Sequence, residues 1–155
     1  MSRKIICVFG LAVIALAIAA PTSAGSLIPM KAKDTGSATI VGATGPILHT
    51  ADTGSGEAAH LGRYTLAASE DINALTGAVT NGSFTMTAAN GDTVSGTYSG
   101  QALPGLVGYV VSGPITGGTG RFAGATGFLV WHGTVDPAAL TFADEITGTI
   151  SSVGS

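Results

Sequence analysis

The sequence is poor in the residues that most enzymatic and metal chemistry requires. Its 155 residues include one cysteine, three histidines and one tryptophan, and only 10% are charged. A single Cys excludes both a disulfide scaffold and a cysteine-rich zinc module. His49, His60 and His132 form no His-x-His pair and have no helical spacing, so no metal site is expected. Six basic residues against nine acidic ones give a formal charge of −3. That balance lacks the electrostatic footprint of a nucleic-acid binder. Low charge with 45% hydrophobic residues excludes a solvated, disordered chain. No Gly-x-Ser-x-Gly elbow occurs, and no motif calls for a cofactor. The length allows one domain.

Mean hydropathy is nevertheless +0.48, and the N-terminus explains much of it. Arg3 and Lys4 precede the apolar run Ile5 to Ala20, and Pro21-Thr22-Ser23-Ala24 supplies a helix breaker and small residues. This is the three-part pattern of a secretory signal peptide, with cleavage after Ala24 or a few residues earlier after Ala20. The run falls short of the roughly 20 residues that span a bilayer, which disfavours an uncleaved anchor. Residues 1–24 are therefore read as a signal peptide, 25–36 as an N-terminal segment and 37–155 as a single domain, secreted or periplasmic. Cys7 leaves with the signal, and the remaining chain is acidic, with Lys31, Lys33, Arg63 and Arg121 as its basic residues.

Beyond Gly25 there is no convincing 3.6-residue periodicity. Ser69–Leu75 could form one or two helical turns or a strand connection. Elsewhere Thr, Val, Ile and aromatics alternate with small polar residues between glycines. In Gly82–Ser99, Phe84 and Met86 share one face, Asn90-Gly91 signals a hairpin, and Val94 and Tyr98 share a face on the return. Further strands are expected at Leu27–Lys33, Ile40 to about Ala51, His60–Ala68, Leu106–Ile115, Gly127–Val135 and Leu140–Ile150. About eight strands with no covering helices predict an all-β, antiparallel eight-stranded barrel, because closure removes aggregation-prone edges. Phe128–Trp131 and Leu106–Val111 are apolar on both faces. Such strands need an outer cover, either a second copy of the chain or the segment Leu27–Met30.

The most specific stretch is Ile115–Gly127, ITGGTGRFAGATG, with Gly117, Gly118, Gly120, Gly124 and Gly127 around Arg121 and Phe122. It matches neither a Walker loop nor a dinucleotide fingerprint. Its glycines suit a bent turn, with Phe122 as apolar anchor and Arg121 holding the turn to a carboxylate or carbonyl. Together with His60-Leu61-Gly62-Arg63-Tyr64-Thr65 and Ala89-Asn90-Gly91-Asp92, this motif resembles bacterial secreted proteins of the allene oxide cyclase-like and dirigent-like barrel family. The resemblance spans roughly His60 to Ile150. It implies an eight-stranded barrel, a trimer and an apolar ligand in the barrel, and it carries over no catalytic residue.

Several residues are candidates for a site. Tyr64, Phe84, Met86, Tyr98, Tyr109, Phe128 and Val130 are read as lining a pocket for a small hydrophobic ligand. His132, on the face of Phe128 and Val130, and Asp144, on the face of Leu140, Phe142 and Ile146, are the catalytic candidates. Asp144 on an apolar face requires a partner, with Arg63, Arg121 or a tyrosine hydroxyl available. Glu70-Asp71 and Asp144-Glu145 each place at most one carboxylate inward, since neighbours on a strand face opposite ways. The sequence thus points first to a non-catalytic barrel that binds a hydrophobic ligand or self-assembles. A cyclase or isomerase acting on an apolar substrate is the alternative. An outer-membrane barrel fits poorly, since it needs aromatic girdles and a lipid-facing band.

Overall fold

The computed structural model describes residues 25–151; the signal-peptide reading of residues 1–24 lies outside them. The eight strands are β1 (Leu27–Thr44), β2 (Ile47–Ala58), β3 (Gly62–Asn73), β4 (Ala78–Ala88), β5 (Thr93–Ala102), β6 (Gly108–Gly118), β7 (Gly127–Asp136) and β8 (Thr141–Ser151). They form a closed antiparallel barrel in which each strand pairs with its sequence neighbours and β8 returns to β1. The class expected from the sequence is the one observed.

Closure shapes β1. Its first part, Leu27–Ser37, pairs with β8, while Ala32–Thr44 pairs with β2. This stagger is the tilt that a closed barrel demands. A strand with partners on both sides has no reason to break at Asp34–Ser37, within the gap that the sequence suggested. The segment 25–36 thus enters the barrel wall, with Met30 pointing inward at 1% exposure. It does not cover the outer face of β6 and β7, where Val110 and Phe128 stay exposed.

Other boundaries shift for local reasons. The stretch expected as one strand from Ile40 is split by Gly45-Pro46, with Gly45 in the left-handed region at φ 59°. Ser69–Leu75 is not helical: β3 runs to Asn73, whose Oδ1 accepts from the amides of Leu75 and Thr76 to close a turn. The 89–92 hairpin loop has only Gly91 at positive φ, and Asn90 Oδ1 instead accepts from the Asp92 amide. Residues Pro104–Leu106 form a 3-10 turn, so β6 starts two residues later than expected.

The two ends of the barrel are filled differently. At the end holding the 59–61, 89–92 and 119–126 loops, Met30, Leu61, Met86, Val94, Phe122, Leu129, Ile146 and Ile150 pack almost without exposure. The glycine-rich turn closes this end as its sequence suggested. Phe122 is 1% exposed, and Arg121 lies 4.8 Å over its ring and bonds the Leu61 carbonyl and Asp92. Along β7 it is Leu129 and Trp131 that face the core, and Phe128 faces out at 49% exposure. Leu129→Ala should therefore cost about 2–5 kcal/mol in chemical denaturation, whereas Phe128→Ala should cost less than about 1 kcal/mol. Equal losses would mean that the facing of β7 is reversed.

Candidate functional site

At the opposite end, that of the 45–46, 74–77, 103–107 and 137–140 loops, the barrel is not filled. A cavity of about 280 Å³ lies there, at the lower edge of the roughly 300–1,000 Å³ typical of small-molecule pockets. Ile40, Leu48, Ile72, Val79, Leu106, Val135 and Leu140 form its upper wall, and Leu66, Phe84, Trp131 and Phe142 lie deeper. Leu106 and Leu140, both on the wall, sit at φ 56° and 53°. Leucine rarely adopts this conformation, which costs on the order of 1–2 kcal/mol each. The trio Phe84, Tyr98 and Trp131 packs edge-on or tilted with centroids 5.0–6.4 Å apart.

Carboxyl groups interrupt this apolar lining. Asp52, Glu70 and Asp144 reach the cavity from β2, β3 and β8, and Asp34 of β1 stands directly across from Asp144 in the β1–β8 register. Three tyrosines donate to them: Tyr64 to Asp34 at 2.5 Å, Tyr98 to Glu70 at 2.5 Å and Tyr109 to Asp144 at 2.7 Å. Each phenol is pushed upward, first by burial and then by its carboxylate neighbours, and stays a donor. Among the described residues no basic side chain joins them. Lys33 pairs with Glu145 on the outer surface, and Arg121 holds the glycine turn.

Burial therefore dominates the acids. It raises Asp52 to about 8, assisted by the charge of Glu70 and a hydrogen bond to it. It raises Asp144 to about 7, against the Tyr109 bond and with the charge of Asp34. Asp34 is raised by burial as well, in spite of the Tyr64 bond. Asp34 Oδ1 and Asp52 Oδ1 are buried without a protein donor among the described residues. A proton shared within each facing pair, Asp144 with Asp34 and Asp52 with its neighbour across the strands, would satisfy both oxygens. Two facing carboxyl pairs, Asp34 with Asp144 and Asp52 with Glu70, thus border the apolar chamber.

Glycines make room for the rings. A Cβ on Gly133 would strike the Tyr109 ring and Asp144, one on Gly82 the Tyr98 ring, and one on Gly96 the Phe84 ring. Each aromatic lies across a gap in the adjacent strand, and for Tyr109 that gap also admits its carboxylate.

Of the pocket residues read from the sequence, Phe84, Tyr98 and Tyr109 line the cavity. Tyr64 and Met86 face inward but deeper, at 3% and 0% exposure. Phe128 and Val130 are corrections. They lie on the outer face of β7 with His132, because Leu129 and Trp131 take the interior. Both faces of this strand are apolar, so alternation alone left its direction open, and the larger Trp went inside. His132 consequently cannot act on anything in the barrel. Asp144 does face inward, and its partner is the Tyr109 hydroxyl, not Arg63 or Arg121. Asp34, Asp52 and Trp131 were missed, and Glu70 is the inward member of the Glu70-Asp71 pair. Asp34 falls on the inward parity of Met30 and Ala32, and Asp52 on that of Leu48 and Thr50, which was the available signal.

Outside the barrel, at the rim, His49 Nδ1 meets Asp71 at 2.6 Å, its Nε2 meets Thr44 Oγ1 at 3.1 Å, and Asn81 donates to Asp71. The connectivity is that of a hydrolytic triad. It faces away from the cavity, however, and ties β1, β2, β3 and β4 together. Among the described residues no group of three or more His, Cys, Asp or Glu could hold a metal ion.

The raised acids give stability an unusual pH dependence. An acid whose pKa is higher folded than unfolded binds more protons in the folded state, so stability falls as pH rises through that interval. For Asp52 and Asp144 the interval runs from 3.8 to about 8 and about 7. Asp71 and Glu145 are lowered, and their contributions are lost only on the acid side of the ordinary carboxylate range. The protein should be more stable at pH 5 than at pH 8.5 by on the order of 1–3 kcal/mol, and Asp52→Asn should remove much of the slope. Thermal melts across this range check it, and a melting temperature that climbs steadily to pH 8.5 would refute the proton-sharing account.

No protein-family model matches the chain, and no curated protein is significantly similar to it.

Proposed function

We propose that this is an exported β-barrel that binds a small, largely apolar molecule in the unfilled half of its barrel and performs no chemistry on it. The carrying observation is the asymmetry of the interior. One half is packed solid around Phe122 and Met86, and the other keeps a chamber of about 280 Å³ walled by aliphatic and aromatic side chains. Folding alone gives no reason to leave that space, since each unfilled volume forfeits packing energy. Two leucines held in an unfavourable backbone conformation at its wall point the same way.

Export rests on the pattern of residues 1–24. A free barrel, not one inserted in a membrane, is supported by the outer surface. Glu145, Lys33, Glu57 and Arg63 are successive cross-strand neighbours from β8 through β1 and β2 to β3. That row of alternating charges would cut through the apolar band, about 25 Å tall, that a membrane barrel presents to lipid. The closed eight-stranded architecture is compatible with the allene oxide cyclase-like resemblance. Self-association, by a trimer as that resemblance implies, is supported by Val110 and Phe128, 41% and 49% exposed on neighbouring strands. A second reading, a cyclase or isomerase for an apolar substrate, is favoured by the Tyr109–Asp144 pair at the cavity wall. An acid raised to about 7 suits proton transfer near neutral pH.

Trp131 is the chain's one tryptophan and lines the cavity, so its emission reports occupancy. Titration with medium-chain apolar compounds should shift or quench it saturably, and Ala68→Phe, which fills the chamber, should weaken binding at least tenfold. Saturable binding unaffected by Ala68→Phe would place the site elsewhere, and an unresponsive Trp131 would remove the binding reading. Chemical conversion of the bound compound that is lost in Asp144→Asn would favour the enzyme instead.

A further inference from the structure

The binding reading leaves the chemistry of the ligand open, and the polar groups inside the barrel narrow it. The groups facing the interior that ionise are Asp34 of β1, Asp52 of β2, Glu70 and Tyr64 of β3, Tyr98 of β5, Tyr109 of β6 and Asp144 of β8. The inward faces of β4 and β7 offer none, being formed by residues such as Phe84, Met86, Leu129 and Trp131. Every one of these groups is an acid. All three phenols already donate to a carboxylate, and none is left to donate to a ligand.

Cationic donors are what this interior lacks, among the described residues. Asp34 is 4% exposed, with one oxygen held by Tyr64 and the other without a protein donor beside Asp144. Asp52 Oδ1 is likewise without one. Only a proton held between carboxyls, or a donor brought in from outside, can serve these atoms. An anionic head group would add repulsion to a site whose ionisable groups are all acids. A protonated amine supplies what is missing: a positive charge and up to three N–H donors. The geometry also separates the two requirements, because the carboxyls lie deep while the walls above them are aliphatic.

We propose that the ligand is a small cationic amphiphile, an apolar body carrying a protonated nitrogen that sits among Asp52, Glu70 and Asp144. This rests on the barrel-binding reading and specifies its ligand class. On binding, the ammonium takes the place of the shared protons, which are released to solvent. Binding therefore strengthens as pH rises and is accompanied by proton release.

Three eight-carbon probes test it on the purified protein through Trp131 emission: octylammonium, octan-1-ol and octanoate. Octylammonium should bind at least tenfold tighter than octan-1-ol, with octanoate weakest, and its affinity should rise at least tenfold from pH 5 to pH 8. Calorimetry in buffers of different ionisation enthalpy should show protons leaving the protein. Asp144→Asn and Glu70→Gln should each weaken octylammonium about tenfold while changing octan-1-ol less than twofold, the latter showing that the cavity remains formed. If octan-1-ol binds as tightly as octylammonium, the cationic ligand is wrong and the apolar pocket stands. If none of the three binds, the pocket reading falls and this inference with it.

Discussion

The pairing of β1 with β8 has two effects that cannot be separated. It gives hydrogen-bonding partners to the two strands that would otherwise be free edges, turning a meander into a barrel. The same register sets Asp34 against Asp144 inside the wall. A carboxyl pair facing each other in an apolar interior repels unless a proton or a cation joins it. The seam that completes the fold therefore also creates its most demanding electrostatic problem, and Tyr64 and Tyr109 are placed to moderate it. Their hydroxyls each bind one member of the pair, leaving the inner oxygens to share.

The glycine content follows from the same enclosure. A small closed barrel has a narrow lumen that side chains readily fill. Large rings can be accommodated only where an adjacent strand gives way, as Gly82, Gly96 and Gly133 do for Tyr98, Phe84 and Tyr109. With the rings laid against the wall in this manner, the middle of the upper lumen stays clear. Glycine here makes space, and that space becomes the chamber.

Much of this was legible in the residues. Period-2 alternation with glycine punctuation gave the class and the approximate number of strands, and Phe84, Tyr98 and Asp144 were placed on inward faces by parity. Where the reading failed, the cause was specific. Phe128-Leu129-Val130-Trp131 is apolar at every position, so only packing could decide which pair faces in, and the choice moved His132 to the exterior. Asp34-Thr35-Gly36-Ser37 looks like a turn by composition, yet two flanking partners hold it extended. The inward acids Asp34 and Asp52 went unnoticed because a carboxylate followed by Thr-Gly looks solvated until the strand's facing is known. Pairings such as Tyr98 with Glu70 arise between strands, and no local pattern encodes them.

The unequal filling of the two ends divides the molecule into regions under different pressures. Around Phe122 and the glycine-rich turn, almost any change of volume disturbs tightly packed neighbours. At the other end, the short connections 103–107 and 137–140 border open space and contribute little to the packed core. Substitutions there can reshape the opening while the rest of the wall holds its register. A barrel built in this manner is a chassis: its plugged base preserves foldability while its rim is free to diversify, so that one framework can be retuned to new guests by changing a handful of loop residues.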